Sequence, residues 1–217
     1  MRTGNSSWET NRVHPKVLSR RGWAITRRLV GTGLTEGWVL AGGTGLALQL
    51  GHRVSEDLDF FRSEAFDTIA LAEELAVAGT VAVQSRSAGT LHATLDGLRV
   101  SFLAAQRPLL FPGIEYRGLR VADPRDIAVM KIVAIGGRGS RKDFVDLYYF
   151  LRDGGSLESA LESARRRFEG LDLNEYHLLR SLAYFDDAEN EPMPRMLRRV
   201  AWSEIKRALA AEVRRLQ

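Results

Sequence analysis

The segment that most constrains the fold spans residues 37–61, where two apolar runs, a glycine pair and an Asp-Leu-Asp triplet follow one another. GWVLAGG predicts a buried strand ending in a Gly-Gly turn, and DLDFF predicts the next strand. Between them, TGLALQLG predicts a helix of about two turns that Thr44 caps and Gly51 stops. Because side chains alternate along a strand, Asp57 and Asp59 should leave the same face. Two such carboxylates repel each other unless a positive group lies beside them.

The glycines and the carboxylates together suit a metal-bound phosphate. Gly42 and Gly43 let the backbone approach a ligand, and the helix that follows presents free N–H groups to an anion. Asp57 and Asp59 supply the hard oxygen ligands that Mg²⁺ prefers. The alternative is a plain turn and an acidic strand end paired with Arg53, and this segment alone does not decide between them.

Composition excludes several other classes of protein. The chain of 217 residues has no cysteine and four histidines, so disulfides and thiolate metal sites are excluded and a zinc cluster is not expected. No apolar run reaches the roughly 18 residues of a membrane span, and the N-terminus lacks a signal-peptide core, so we expect a cytoplasmic protein. Residues 1–40 hold seven Lys and Arg against two Glu, which suits either a flank that contacts phosphates or a soluble N-terminus.

The remaining pattern predicts an α/β (α+β) unit followed by a helical part, with the boundary near residue 122. Helices are expected over 13–30 and 65–78, and three strands over 80–104 with an Asp96-Gly97 hairpin turn. Two further helices, 121–135 and 141–154, flank a glycine-rich break, and 156–217 should be helical apart from breaks near 170–174 and around two prolines. We therefore expect domains at 1–122 and 123–217, with the second completing the cleft.

LAGGTGLALQLGHRVSEDLDFF resembles motif I of the polymerase-β-like nucleotidyltransferase superfamily, in which a glycine pair precedes Asp-hydrophobic-Asp. It is more narrowly similar to the AbiEii/AbiGii toxin family, which carries a Gly-Gly-Thr-x-Leu turn and an Arg-x-Ser-x-Asp-Leu-Asp-Phe strand. The matching strand residues here are Arg53, Ser55, Asp57, Leu58, Asp59 and Phe60. The resemblance implies the superfamily's fold, a small mixed twisted sheet flanked by helices.

A second block, DPRDIAVMKIVAIGGRGSRKDFVDLYYFL, is similar to downstream motifs of the same family. Taken alone, Lys131 among apolar neighbours is either a phosphate ligand or a lysine that snorkels at a helix rim. On the next helix, Lys142, Asp146 and Asp153 lie within about 40° of one another, with Asp143 further round. This narrow polar stripe suits a cleft better than a solvated face with a Lys142–Asp146 pair. The resemblance implies that Lys131 and Asp146 belong to the active site.

The resemblance implies an enzyme that transfers NMP from an NTP, with Mg²⁺ or Mn²⁺, to an acceptor such as the 3′ end of tRNA. It also implies a toxin that is controlled by a cognate antitoxin. In that assignment Asp57 and Asp59 hold the metal, while Asp146 completes the carboxylate set or acts as a general base. The residues expected to contact the nucleotide are Gly42, Gly43, Thr44, Arg53, Ser55, Lys131, Arg138 and Arg141, with Asp143 and Lys142 as additional members of the site.

One departure concerns the third carboxylate that active members of the superfamily place on a later strand. The inward position of GLRVSFLAA is Ser101. This leaves open a non-catalytic NTP-binding module that acts through protein partners, or a phosphotransferase that uses the same groups. His52 is expected to be a loop or packing residue, and the arginine runs at 165–167 and 195–199 are expected to be solvated helix faces.

Overall fold

The computed structural model describes residues 13–216, so the first part of the basic N-terminal stretch lies outside the described residues. Seven strands form one mixed sheet in the order β3-β4-β5-β2-β1-β7-β6. From β1 to β7 the strands are Val39–Leu40, Asp57–Arg62, Val81–Ser87, Thr90–Leu95, Leu98–Ala104, Ile114–Tyr116 and Leu119–Val121.

Helices pack around this sheet and make up the C-terminal part of the chain, as the sequence predicts. From α1 to α9 they are Arg20–Gly31, Gly42–Leu50, Thr68–Leu75, Pro124–Arg138, Arg141–Arg152, Leu157–Arg167, Glu175–Leu182, Asp186–Glu189 and Trp202–Leu216. None of the helices within residues 13–216 is long and apolar enough to span a bilayer.

The centre of the sheet places the two aspartates. Strand β2 pairs in parallel with β5 and antiparallel with β1. This register sets Asp57 opposite Arg99 and Asp59 opposite Ser101. The mixed α/β fold is thus confirmed, and Ser101 lies beside the second aspartate as expected.

The hairpin at Asp96-Gly97 is confirmed, and the structure contains a second hairpin that the sequence pattern does not predict. Asp96 and Gly97 have φ of 47° and 74°, the left-handed pair that a tight turn between twisted strands requires. Arg117 and Gly118 repeat this geometry, with φ of 52° and 78°, between β6 and β7. Each of those strands has three residues, which is too short to show an alternating pattern.

Two helix starts differ from the expected positions. Residues Pro15–Val17 form a short 3-10 turn, and α1 begins only after Ser19, whose side chain accepts from the N–H of Gly22. Helix α2 begins at Gly42, two residues before the expected cap Thr44. The Thr44 hydroxyl instead donates to the carbonyl of Asp57, so it ties the helix to β2.

Two further expectations on helices need correction. The glycine-rich break between α4 and α5 is present but is limited to Gly139 and Ser140, because α4 continues through the first two glycines to Arg138. Residues 195–199 are not helical: Met196 forms an isolated bridge with Arg53. We call residues 192–199 the strap, since it lies against residues 52–54.

Two apolar clusters form the core, and α2 belongs to both. Leu46 and Leu50 pack with helices α4–α7 and α9, while Ala47 and Leu48 pack with the sheet, α1 and α3. A mostly apolar helix of nine residues is therefore enclosed between the two layers. The division at residue 122 stays a prediction.

Candidate active site

A cleft of about 320 Å³ opens between the N-terminal end of α2, strand β2 and helices α4 and α5. It brings together most of the residues that the sequence singles out. Those that line it are Gly43, Arg53, Ser55, Asp57, Asp59, Lys131, Lys142 and Asp143.

The glycine pair is needed because side chains press against the first turn of α2. Gly42 has φ of 58°, and a Cβ there would lie 2.5 Å from Oδ2 of Asp59. A Cβ on Gly43 would collide with the guanidinium of Arg53. Both contacts lie under the separation that real Cβ atoms keep, so Gly42 and Gly43 let Asp59 and Arg53 close in on the start of the helix.

Asp57 sits at the mouth of the cleft, held by two cations. Its Oδ1 accepts from Nε of Arg99 at 2.6 Å, and its Oδ2 lies 3.6 Å from Nζ of Lys142. Arg99 arrives through the parallel pairing of β5 with β2, which local sequence patterns do not reveal.

Asp59 is partly buried, and its carboxylate meets a hydroxyl instead of a cation. The Ser101 side chain hydrogen-bonds to it, and no ion pair involves Asp59 among residues 13–216. Burial raises the pKa of Asp59, the neighbouring Asp57 raises it further, and the Ser101 hydrogen bond opposes both. Oγ of Ser101 lies 3.0 Å from Nδ1 of His92. A desolvated carboxylate of this kind gains from a bound cation.

Behind the cleft floor lies a buried ionic cluster centred on Asp146, which has no solvent exposure. Arg53 grips this carboxylate with two hydrogen bonds, Nε to Oδ1 at 2.6 Å and Nη2 to Oδ2 at 2.9 Å. Nε2 of His52 lies 2.9 Å from Oδ1 of Asp146. Nζ of Lys131 lies 2.7 Å from Oδ2 of Asp146 and donates to Oδ1 of Asp143, also at 2.7 Å. The expectation of His52 as a mere loop or packing residue is therefore incomplete, because it also binds Asp146.

The charges of this cluster balance. Burial alone would raise the pKa of Asp146, yet Arg53 and Lys131 hold that pKa well below its usual range. Burial would lower the pKa of Lys131, but Asp146 and Asp143 outweigh it and raise that pKa. Burial also lowers the pKa of His52, against its hydrogen bond to Asp146. A neutral imidazole thus donates from Nε2, and two cations meet two carboxylates.

Three predicted nucleotide contacts lie away from the cleft surface. Arg141 donates to the carbonyls of Ala188 and Glu189 and stacks on Trp202, so it anchors the C-terminal part. Arg138 is exposed at the end of α4. Thr44 is fully buried beneath β2.

The strap supplies cleft residues that sequence reasoning missed. Pro194 and Arg195 line the cleft, and the carbonyl of Arg195 accepts from the N–H of Val54 at 2.8 Å. The prolines signal an extended segment, but nothing in the local sequence indicates that it returns to residues 52–54.

The carboxylate pair fits a hard divalent cation, because both side chains are partly accessible and Asp59 has no ion-pair partner among residues 13–216. Among the described residues no group of three or more His, Cys, Asp or Glu side chains is placed to hold a metal ion. A metal at Asp57 and Asp59 would therefore take its remaining ligands from water or substrate oxygens, which is the usual arrangement for Mg²⁺ at phosphate sites.

Comparisons with known proteins agree with this geometry. A family profile described as "Nucleotidyl transferase AbiEii toxin, Type IV TA system" matches residues 23–215. An uncharacterized protein of Aquifex aeolicus (strain VF5) is 35% identical over 169 residues, which is 76% of this chain and 81% of that protein.

Two solved structures from Helicobacter pylori share the fold. One, described as a candidate nucleotidyltransferase, has a TM-score of 0.55 at 18% identity and covers 89% of this chain and 90% of its own. The other, JHP933, has a TM-score of 0.52 at 18% identity and covers 92% and 93%. The chain therefore belongs to the AbiEii family of nucleotidyltransferase toxins of type IV toxin–antitoxin systems, and the resemblance carried by its two motif blocks is confirmed.

Proposed function

We propose that this protein transfers NMP from an NTP to a hydroxyl of an RNA acceptor such as the 3′ end of tRNA, with Mg²⁺ or Mn²⁺ held by Asp57 and Asp59. The observation that supports this proposal is the convergence of both carboxylates, the start of α2 and a row of cations in one cleft. When bound, the metal would neutralise charge on the phosphates at the reacting centre.

The triphosphate would lie along the N-terminal end of α2. This helix has nine residues and no side-chain cap, so the N–H groups of Gly43 and Thr44 have no side-chain acceptor at the cap. Lys142 and Arg99, both half or more exposed, stand at the mouth of the cleft and would contact phosphate oxygens.

Lys131 would contact the same phosphates from the cleft floor. Its ammonium carries three N–H donors, of which Asp143 and Asp146 occupy two. The third is left for a ligand in the cleft that Lys131 lines. Asp146, in contrast, is enclosed by Arg53, His52 and Lys131, so we assign it the role of holding Arg53 and Lys131 in place and not that of a general base.

In this reaction the acceptor oxygen forms a bond to the α-phosphorus, and the bond from that phosphorus to the α–β bridging oxygen breaks. Pyrophosphate leaves, and the hydroxyl proton passes to water. The pairing of the chain with a cognate antitoxin is proposed on the family's membership of type IV toxin–antitoxin systems.

The test uses two labels and one matched pair of variants. We expect label from [α-³²P]NTP, but not from [γ-³²P]NTP, to appear on purified tRNA in Mg²⁺. Asp59→Asn should lower this transfer at least about 100-fold, while the exposed Asp172→Asn should not change it.

Asp59→Asn should also raise the melting temperature slightly without metal at pH 8, since burial raises the pKa of Asp59 and ionisation therefore lowers stability as pH rises.

Each alternative has its own outcome in the same assay. Transfer of the γ label alone would identify a phosphotransferase. Binding of NTP without transfer of either label, in the presence of total RNA, would identify the non-catalytic module. Transfer of the α label that Asp59→Asn leaves intact would contradict the assignment of the site.

A further inference from the structure

An open groove of about 450 Å³ adjoins the cleft on the side of α4 and α6. Its walls are mainly apolar and include Phe61, Met130 and Phe168. Lys131 lines both the cleft and the groove, and the consecutive glycines Gly42 and Gly43 line one each. A ligand in the cleft can therefore extend into the groove past the end of α2.

The groove wall contains a buried arginine whose N–H donors outnumber the hydrogen-bond acceptors around it. Arg167, the last residue of α6, is 6% exposed, so the expectation of a solvated helix face at 165–167 is wrong for this residue. Its Nη2 donates to the carbonyl of Arg107 at 3.3 Å. Its Nε and Nη1 have no hydrogen-bond acceptor among the described residues.

The nearest carboxylate does not accept a hydrogen bond from either of these unpaired donors. Oδ1 of Asp126 lies 4.0 Å from Nη1 of Arg167. Both oxygens of Asp126 already accept backbone N–H groups, from Leu110 and Phe111, at 2.9 Å each. Burial lowers the pKa of Arg167, with only Asp126 in opposition. A buried guanidinium with unpaired donors is destabilising, which points to a ligand that brings acceptors.

The groove and the arginine together describe the chemistry of that ligand. Apolar walls with two aromatic rings suit a flat ring system, and a guanidinium that only donates suits ring nitrogens and carbonyl oxygens at the edge of that ring. A phosphate would fit Arg167 but not the apolar walls. A nucleobase satisfies both, and nucleobase edges are common partners of arginine.

We propose that this groove binds the base of the incoming NTP and that Arg167 reads its acceptor edge, so that Arg167 determines which nucleotide the enzyme selects. This inference rests on the proposed function, because it assumes that an NTP occupies the cleft. Because Nε and Nη1 are buried, the guanidinium must turn toward the base, exchanging its hydrogen bond to Arg107 and its contact with Asp126 for acceptors of the ligand.

The experiment compares full-length protein with two groove variants in the absence of RNA. Affinities for ATP, GTP, CTP, UTP and inorganic tripolyphosphate are measured by calorimetry in Mg²⁺. We expect Arg167→Met to weaken binding of the preferred nucleotide about tenfold or more, so that the four NTPs bind with similar affinities. The affinity for tripolyphosphate should not change. The exposed neighbour Arg166→Met is the matched control and should match the wild type.

A second variant does not depend on removing the buried charge. Ala134 is exposed on α4 and lines the groove, so Ala134→Trp should fill the groove without disturbing the core. We expect this variant to bind all four NTPs more weakly and to bind tripolyphosphate as tightly as the wild type does.

Four results would overturn the inference. Equal losses for NTP and tripolyphosphate in Arg167→Met would make Arg167 a phosphate ligand. Unchanged NTP binding in both variants, together with a changed preference for the terminal nucleotide of the RNA acceptor in the labelled transfer assay, would place the acceptor's base in the groove. Failure of the wild type to bind any NTP would remove the proposed function itself, whereas normal NTP binding with no effect of either variant would remove only this inference.

Discussion

At the scale of single residues, the best-connected member of the candidate site is one that solvent does not reach. Asp146 has no solvent exposure, and it fixes Arg53 against Gly43 and Lys131 at the cleft floor. The family motif includes Asp146 but does not say whether this residue contacts substrate or only positions other residues. Its burial and its ion pairs with Arg53 and Lys131 support the positioning role.

We expect Asp146→Asn to destabilise the protein by about 3 kcal/mol or more, because it leaves Arg53 and Lys131 buried without enough negative charge. Since its neighbours depress the pKa of Asp146, the native carboxylate contributes stability above the unfolded pKa of about 4 and loses it as pH falls through the lower folded value. The difference in unfolding free energy between wild type and variant should therefore reach its full value at pH 7 and decrease in acid. Urea unfolding at several pH values measures it.

The control for this prediction is Asp187→Asn, at an exposed position of α8, which should change stability by less than about 0.5 kcal/mol. Equal stability of Asp146→Asn and the wild type at pH 7 would show that the cluster tolerates unpaired cations. Such a result would remove the positioning role assigned to Asp146.

Residue types at the site were predictable from sequence, whereas their partners were not. Asp57, Asp59 and Lys131 stand out because charges in apolar runs need a reason. Arg53 was expected near phosphate or a carboxylate, and it binds a carboxylate 93 residues away in the chain. Local patterns carry no signal at that separation. The unusual burial of Arg167 has no signal either, because its two exposed neighbours share its residue type.

At the scale of elements, the strap joins the end of the chain to the site. Leu197 and Arg198 both donate backbone N–H groups to the carbonyl of His52. The guanidinium of Arg198 binds Asp153 at the end of α5, with Nη2 to Oδ1 at 2.8 Å, and lies over the ring of Tyr149. Arg198 thus ties the strap to residue 52 through its backbone and to α5 through its side chain.

We expect Arg198→Met to loosen the strap without unfolding the helices beneath it, because only the strap depends on this ion pair. The amide hydrogens of Val54 and Leu197 should exchange at least about tenfold faster, since local opening then requires less free energy. Hydrogen exchange followed by NMR measures both sites. Arg199→Met, at the exposed neighbouring position, should leave both rates unchanged, and equal rates in the two variants would contradict the assigned role.

Elements with strong local signals were predicted well, and those held by tertiary contacts were not. Strand β2, the β4–β5 hairpin and helices α4 and α5 follow from alternation, turn residues and apolar periodicity. The strap lacks any such signal, and its extended form depends on the bridge between Arg53 and Met196. Strands β6 and β7 are likewise too short to be recognised before their neighbours are known.

At the scale of the whole molecule, α2 links the two apolar clusters. A chain divided at residue 122 into independent units would place α2 in the first unit, yet Leu46 and Leu50 pack with the second. The two parts should therefore lose their structure together, because unfolding either exposes one side of this helix.

We expect one cooperative unfolding transition. Trp38 belongs to the cluster around the sheet and Trp202 to the cluster around the helices, so variants that keep only one of these tryptophans report on each part. Fluorescence in guanidinium chloride should give the same midpoint for both, after correction for any difference in stability between the two variants. Leu46→Ala should shift both midpoints together by about 2–5 kcal/mol of unfolding free energy. Two separated midpoints would instead support independent domains at 1–122 and 123–217.

The ion pairs of Asp57 have a consequence for how the cleft fills. In the ligand-free protein Arg99 and Lys142 act as internal counterions of this carboxylate. A divalent cation must displace them, and a polyanion offers the displaced cations a new partner. Each ligand then makes the binding free energy of the other more favourable, which is thermodynamic linkage within one site. The resting cleft is self-neutralised, and it favours a cation and a polyanion arriving as one complex over either arriving alone.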